Sequence, residues 1–134
     1  MSVSERRVFV TGTGVVSPIG NDTEEFWKHL VAGESGAGPI TRFDAVGYGT
    51  RFACEVKNFS TEGVIDRKDA KRMDRFVQLA VVAAAEAVRT AGVDLERVDR
   101  DRFGVIVGSG IGGMETFEAQ HSVLLERGPS RVSP

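Results

Sequence analysis

A long apolar segment near the middle of the chain is the feature that most constrains the fold. Residues 76–91 read FVQLAVVAAAEAVRTA and predict a helix that ends at Gly92. Its strongly polar residues are only Gln78, Glu86, Arg89 and Thr90. A helix that is apolar on nearly every side is buried on nearly every side. We therefore expect a central helix, and a chain of 134 residues is too short to cover it well on all sides. For this reason we expect the sequence to be the first part of a larger protein.

Strand and helix patterns alternate along the chain. Short apolar runs predict strands at residues 8–10, 51–56 and 103–107. Helical patterns follow the first and the last of these runs, and the last helix closes at Gly128. The charged residues 66–74 are also predicted to be helical. This order of elements is typical of an α/β layered fold.

Local signals mark the turns and the helix ends. Asp22, with Glu25 three residues later, has the spacing of a capping box at the start of the first helix. Gly33 ends that helix. Gly12 and Gly14 follow the first strand run, where the backbone can turn or be approached closely.

Composition excludes several classes of protein. Apolar residues make up 41% of the chain and charged residues 27%, the balance of a globular domain. A net charge of −2 implies no general attraction to nucleic acid or membrane. The single cysteine, Cys54, excludes an internal disulfide and leaves no cysteine partner for a zinc site. No apolar run approaches the ~20 residues of a membrane span, and the N-terminal residues MSVSERRVFV lack a signal-peptide core. We therefore expect a cytoplasmic protein, and we expect it to hold no metal.

A glycine-rich stretch raises the question of nucleotide binding. Gly108, Gly110 and Gly113 satisfy G-x-G-x-x-G between a strand pattern and a helix pattern. A dinucleotide-binding turn also needs an acidic residue about 20 positions later to hold the ribose, and Pro134 is reached with no strand and no acid in place. Two other interpretations stay open. The glycines let a strand turn sharply into a packed helix, or they let a substrate pass close to the backbone.

Four segments together carry a family resemblance. They are RRVFVTGTGVVSPIGND (residues 6–22), ITRFDA (40–45), RKDAKRMDRFVQLAVVAAAEA (67–87) and GVIVGSGIGGMETFEAQ (104–120) with the following LLERGPSRVSP. In this order and spacing they resemble the N-terminal third of the bacterial β-ketoacyl-[acyl-carrier-protein] synthase II family, condensing enzymes of the thiolase-like superfamily. The N-terminal half of polyketide ketosynthases is similar, though less closely.

The resemblance implies a fold and a chemistry. Residues 1–134 would form the N-terminal part of a thiolase fold, layered helix–sheet–helix–sheet–helix, in a homodimer. The implied reaction is a decarboxylative Claisen condensation between an acyl thioester and a malonyl thioester on acyl carrier protein, with no cofactor. The cysteine and two histidines that the family uses match no residue of this chain, so the chain alone is expected to be inactive.

The resemblance also implies site residues. The turn Gly110, Ile111 and Gly112 would border the acyl pocket, with Ile111 lining it; the alternative is that Ile111 packs in the core. The basic residues expected to dock the acidic carrier protein are Lys68, Lys71, Arg72 and Arg131. Positions 68, 71, 72 and 75 share one face if the helix is continuous, and the alternative is an ordinary solvated face.

Cys54, His29 and His121 are expected to be structural, with Cys54 a small buried side chain. The rival functions are a polyketide ketosynthase fragment, a non-catalytic binding or dimerisation piece, and a dinucleotide-binding module.

Overall fold

The computed structural model describes residues 7–133, which separate into two compact units. The first unit holds the described chain up to Ser60 together with Val82–Val98, and the second holds Thr61–Val81 and the described chain from Asp99 onward. The elements in order are α1 (Thr23–Val31), β1 (Gly38–Pro39), β2 (Phe52–Ala53), α2 (Arg67–Ala70), α3 (Arg75–Ala91), a 3₁₀ turn at Arg100–Arg102, α4 (Met114–Arg127) and a 3₁₀ turn at Pro129–Arg131.

The predicted ends of α1 are confirmed. The Asp22 carboxylate accepts the backbone N–H of Glu25 at 2.7 Å. The Glu25 carboxylate in turn accepts the backbone N–H of Asn21 at 2.8 Å, so both donors at the helix start are satisfied. Beyond the helix, Gly33 has φ +71°, a left-handed conformation that favours glycine.

The first unit is built where the N-terminal segment packs on the second half of α3. A Cβ placed on Gly12 would overlap the carbonyl oxygen of Ala87, and one on Gly14 would overlap that of Ala83. The predicted close approach of backbone at these two glycines is confirmed, and its partner is the main chain of α3. The helix also ends as predicted, with Gly92 at φ +63°.

The Glu86 side chain stabilises the contact between the N-terminal segment and α3. Its carboxylate accepts the backbone N–H of Val15 and that of Thr23, each at 2.8 Å. Burial raises the pKa of the Glu86 carboxyl, but the hydrogen bonds from Thr23 and Val15 outweigh it, so the net pKa lies below its ordinary value of 4.5. A polar side chain in the apolar segment therefore joins α1 and the N-terminal segment to α3.

The strand predictions are largely wrong. Residues 8–10 and 103–107 form no hydrogen-bonded strand, and the predicted strand at 51–56 is reduced to β2. Within the described residues the one sheet is β1 and β2, antiparallel, with Gly38 opposite Ala53 and Pro39 opposite Phe52. A strand exists only where a neighbouring strand supplies its hydrogen bonds, and no strand of residues 7–133 lies beside residues 8–10 or 103–107.

The prediction that α3 is buried on nearly every side is also wrong. No residue of α3 is buried, and Ile65 is the one buried large apolar side chain of residues 7–133, at 9% exposure. Ile106, in the third predicted strand, is 101% exposed. A sheet of two strands, each two residues long, offers no layer that could cover an apolar helix, so the side chains of α3 stay in contact with solvent.

The charged segment is interrupted rather than continuous. Asp66 caps α2 by accepting the backbone N–H of Lys68 at 2.8 Å, and the helix ends at Ala70. The N–H of Arg72 then bonds the carbonyl of Asp69, three residues earlier, at 2.9 Å. Such bonds tighten and end a helical turn, so positions 68, 71, 72 and 75 do not share one helical face.

Candidate functional site

The glycine-rich stretch makes a turn that starts α4. Gly112 has φ +87°, which favours glycine, and Gly113 is the residue before the helix. The first helical bond runs from the N–H of Phe117 to the carbonyl of Gly113 at 3.0 Å. Of the interpretations left open by the sequence, the turn into a helix is observed, although no strand of the described residues precedes it.

Asp74 holds this turn from the start of α3. The hydroxyl of Thr116, in the first turn of α4, donates to the Asp74 carboxylate. A Cβ placed on Gly113 would overlap the same carboxylate, so any side chain at this position would have to displace the end of the Asp74 side chain. The Asp74 carbonyl accepts the N–H of Val77 at 3.0 Å, which places Asp74 firmly at the beginning of α3.

Gln78, in the first turn of α3, makes a second connection, to the basic segment of residues 67–72. Its side-chain amide donates to the carbonyl of Ala70 at 2.8 Å and to that of Met73 at 3.0 Å. These carbonyls close α2 and the turn after it, where Lys71 and Arg72 lie. Asp74 and Gln78 were missed as site residues from the sequence. The available signal for Gln78 was a polar residue in an apolar helix.

The predicted site residues all lie in the second unit. Gly110, Ile111 and Gly112 share the turn before α4, and the Ile111 side chain is 80% exposed. Its place in an acyl pocket stays a prediction.

The four basic residues are exposed. Lys68 lies in α2, Lys71 and Arg72 in the turn that follows, and Arg131 in the last 3₁₀ turn. Among residues 7–133 none of these four side chains forms an ion pair or a hydrogen bond. Free, exposed cations suit a docking surface, and the assignment stays a prediction.

Cys54 and the two histidines occupy other places. Cys54 is exposed, so its expected burial is wrong, because β2 ends at Ala53 and no second layer within residues 7–133 covers Cys54. His29 Nδ1 lies 2.5 Å from the carbonyl oxygen of Ile19, and Nε2 lies 3.9 Å from the Glu34 carboxylate. His121 stacks on Phe117 with ring centroids 6.4 Å apart. Both histidines have local partners, as a structural role requires.

Two negative findings apply to the part of the chain that the structure describes. No group of three or more histidine, cysteine, aspartate or glutamate side chains there is placed to hold a metal ion. No helix there has the length and apolar character needed to cross a lipid bilayer.

Comparison with known proteins decides the family. The family model described as the N-terminal domain of β-ketoacyl synthase matches residues 5–134. The chain belongs to the β-ketoacyl synthase family. The match includes the glycine-rich turn and the basic segment, so the G-x-G-x-x-G pattern here is part of a β-ketoacyl synthase domain.

Curated relatives agree with this assignment. The chain is 52% identical over 129 residues to 3-oxoacyl-[acyl-carrier-protein] synthase 2 of Staphylococcus aureus (strain COL), covering 96% of this chain and 31% of that protein. It is 46% identical over 133 residues to the protein of the same name from Synechocystis sp. (strain ATCC 27184 / PCC 6803 / Kazusa), covering 99% of this chain and 32% of that protein. The chain therefore spans about a third of the length of these relatives.

Solved structures of ketosynthases share the fold. The ishigamide ketosynthase/chain length factor superposes with a TM-score of 0.73 at 37% identity, covering 93% of this chain and 31% of that one. A ketosynthase solved in complex with its type II polyketide acyl-carrier protein superposes with a TM-score of 0.70 at 21% identity, covering 93% and 32%. The described residues thus follow the path of a ketosynthase chain, although their own strands are few.

Proposed function

We propose that this β-ketoacyl synthase chain is the N-terminal part of a 3-oxoacyl-[acyl-carrier-protein] synthase that elongates fatty acyl chains. The observation that carries the proposal is 52% identity to the Staphylococcus aureus synthase across 96% of this chain. The reaction is a decarboxylative condensation in which a malonyl thioester loses CO₂ and its carbanion attacks the acyl thioester. Catalysis then depends on a cysteine and two histidines outside residues 1–134, and this chain alone is inactive.

In this proposal the chain supplies the wall of the acyl pocket. Gly110, Ile111 and Gly112 form the turn, and small residues leave room beside one branched apolar side chain. The Ile111 side chain is 80% exposed, which leaves it free to contact a substrate or a further part of the protein. The completed layers of a thiolase fold, a homodimer and a cytoplasmic setting belong to the same proposal.

The chain also supplies the docking surface for acyl carrier protein. Lys68, Lys71, Arg72 and Arg131 are the proposed contacts. Their exposure, and the lack of ion-pair partners for them among residues 7–133, support the proposal. The carrier protein in the names of the curated relatives, and in the complex of the solved ketosynthase, supports this choice of partner. Exposed charges of this kind steer an acidic partner and orient it.

Charge reversal in a complete enzyme tests the docking surface. We would use a chimera in which this chain replaces the matching 31% of the Staphylococcus aureus synthase. Changing Lys71→Glu and Arg72→Glu together should raise KM for the acyl-carrier substrate about three- to tenfold, since each exposed pair contributes ~0.2–1 kcal/mol. The value of kcat should hardly change, because the charges act on encounter rather than on chemistry.

The chain offers a matched control for this experiment. Arg100 and Arg102 are also exposed and lie in the same unit, so reversing both makes the same change in charge at another place. The effect of reversal at 71 and 72 should shrink at ~1 M salt, where the screening length is only ~3 Å. It should vanish with a small thioester substrate. Equal losses of kcat/KM with the carrier-linked and the small substrate would mean that Lys71 and Arg72 support the fold instead of docking the carrier protein. Equal losses in the two pairs of variants would contradict the docking assignment in the same way.

A polyketide ketosynthase is the second candidate. The 37% identity to the ishigamide ketosynthase/chain length factor favours it, whereas the 46–52% identity to proteins named 3-oxoacyl-[acyl-carrier-protein] synthase 2 favours the first proposal. Product analysis separates the two. A fatty-acid enzyme releases one condensation product from each acyl-carrier substrate, and a polyketide enzyme in complex with its partner extends the unreduced product repeatedly.

A further inference from the structure

We infer that Asp74 is a positioning residue that sets where the glycine-rich turn lies and thereby which acyl chain lengths the site accepts. The part of this inference that concerns chain length rests on the proposed acyl-pocket function of Gly110, Ile111 and Gly112. Asp74 itself belongs neither to that turn nor to the proposed docking residues.

The contacts of Asp74 with the turn are specific. The Thr116 hydroxyl donates to its carboxylate, and the carboxylate occupies the space that a Cβ on Gly113 would need. Two residues further along α3, the Phe76 ring lies 3.9 Å from the Cβ position of Gly112. The turn is therefore bounded by the first residues of α3 at two successive glycines, directly after Ile111.

The N-terminal end of α3 also forms hydrogen bonds with the basic segment and the turn after it. The Asp74 carbonyl accepts the N–H groups of Val77 and Gln78 at 3.0 and 3.1 Å. The Gln78 amide donates to the carbonyls of Ala70 and Met73. One helical turn thus holds the segment of Lys71 and Arg72 through Gln78 and the glycine-rich turn through Asp74.

The chemistry of a carboxylate suits this place. It accepts the Thr116 hydroxyl while leaving an oxygen against Gly113, and its negative charge lies at the N-terminus of the 14-residue helix α4, where anions are favoured. The backbone of Gly113 has a φ of −85°, which any residue can adopt. An added methyl group at this position therefore acts mainly by displacing the Asp74 carboxylate.

Chain-length selectivity of the chimera tests the inference. The readout is the ratio of kcat/KM for a long and a short acyl-carrier substrate. Asp74→Ala and Gly113→Ala should each change the ratio about tenfold, the discrimination that one methylene gives in an apolar pocket. Asp74→Asn should retain the ratio, because its amide oxygen still accepts the Thr116 hydroxyl. Thr116→Val, a milder change, should shift the ratio in the same direction as Asp74→Ala.

A double mutant and a control separate positioning from general damage. In Asp74→Ala with Gly113→Ala the new methyl group enters the space that the carboxylate has left, so the two effects should not add. Thr90→Val is the control, because it removes a 2.8 Å hydrogen bond to the Thr13 carbonyl in the C-terminal half of the same helix. It should leave the ratio unchanged even where it lowers stability.

Amide hydrogen exchange of Met114 and Phe117, whose N–H groups donate to the carbonyls of Gly112 and Gly113, gives a readout that needs no activity. Exchange should become faster in Asp74→Ala than in wild type or Thr90→Val. Unchanged exchange and an unchanged ratio in Asp74→Ala, with a ratio that does shift in Ile111→Ala, would overturn the inference and leave the acyl-pocket proposal standing. If Ile111→Ala leaves the ratio unchanged, the acyl-pocket proposal fails and the inferred control of chain length fails with it, and exchange alone then decides whether Asp74 positions the turn.

Discussion

Glu86 shows what a single residue contributes to the first unit. Replacing it by glutamine removes one of the two acceptor oxygens that hold the N–H groups of Val15 and Thr23. We expect Glu86→Gln in the chimera to lower the protection of one of these two amides against exchange about fivefold, equivalent to about 1 kcal/mol for a lost hydrogen bond. The measurement is residue-resolved amide exchange at neutral pH.

The pH dependence of this difference follows from the lowered pKa of Glu86. A carboxyl whose folded pKa is lowered stabilises the fold above its unfolded value and loses that contribution as pH falls through the folded value. The advantage of Glu86 over glutamine should therefore be complete well above pH 4.5 and should narrow below it. Glu55→Gln is the control, because Glu55 accepts from Thr41 elsewhere in the same unit and should not alter Val15. A difference that is constant with pH would contradict this account.

At the scale of elements, the contact of Gly14 with α3 is the one most sensitive to an added side chain. A Cβ at Gly14 would overlap the carbonyl of Ala83, and main chain cannot move aside as a flexible side chain can. Gly14→Ala should therefore lower the free energy of unfolding of the chimera by about 1–3 kcal/mol, the usual cost of overpacking. The measurement is the urea midpoint. Gly38→Ala is the control, since nothing lies within 4 Å of a Cβ there, and equal shifts in both variants would contradict the prediction.

At the scale of the molecule, exposed apolar surface governs the behaviour of the isolated chain. Val8, Val105 and Ile106 are all highly exposed, in two segments that form no strand. Covering one such side chain is worth ~1.5–3 kcal/mol, so the isolated 134-residue chain should associate. Light scattering after size-exclusion chromatography checks this, and Ile106→Lys should reduce the association. A monomer with a sharp, cooperative melt would contradict the prediction.

The ends of α1 and the C-terminal end of α3 could be predicted because their causes are local. Asp22 caps α1 through a residue three positions away, and Gly92 ends α3 through its own φ. Gly12 and Gly14 indicated a possible close approach of another part of the chain, because glycine has no Cβ to prevent it. The family could be recognised from four segments, since their order and spacing need no knowledge of contacts.

The tertiary structure alone decided what depends on distant partners. Residues 8–10 and 103–107 have the composition of strands, but a strand requires a neighbour that composition does not specify. Asp74 meets Thr116 across 42 positions, and no local pattern pairs them. By itself the sequence determined the ends of α1, the C-terminal end of α3 and which family the chain joins. Burial, strand pairing and the anchoring of the glycine-rich turn were decided in three dimensions, because each needs two parts of the chain to come together.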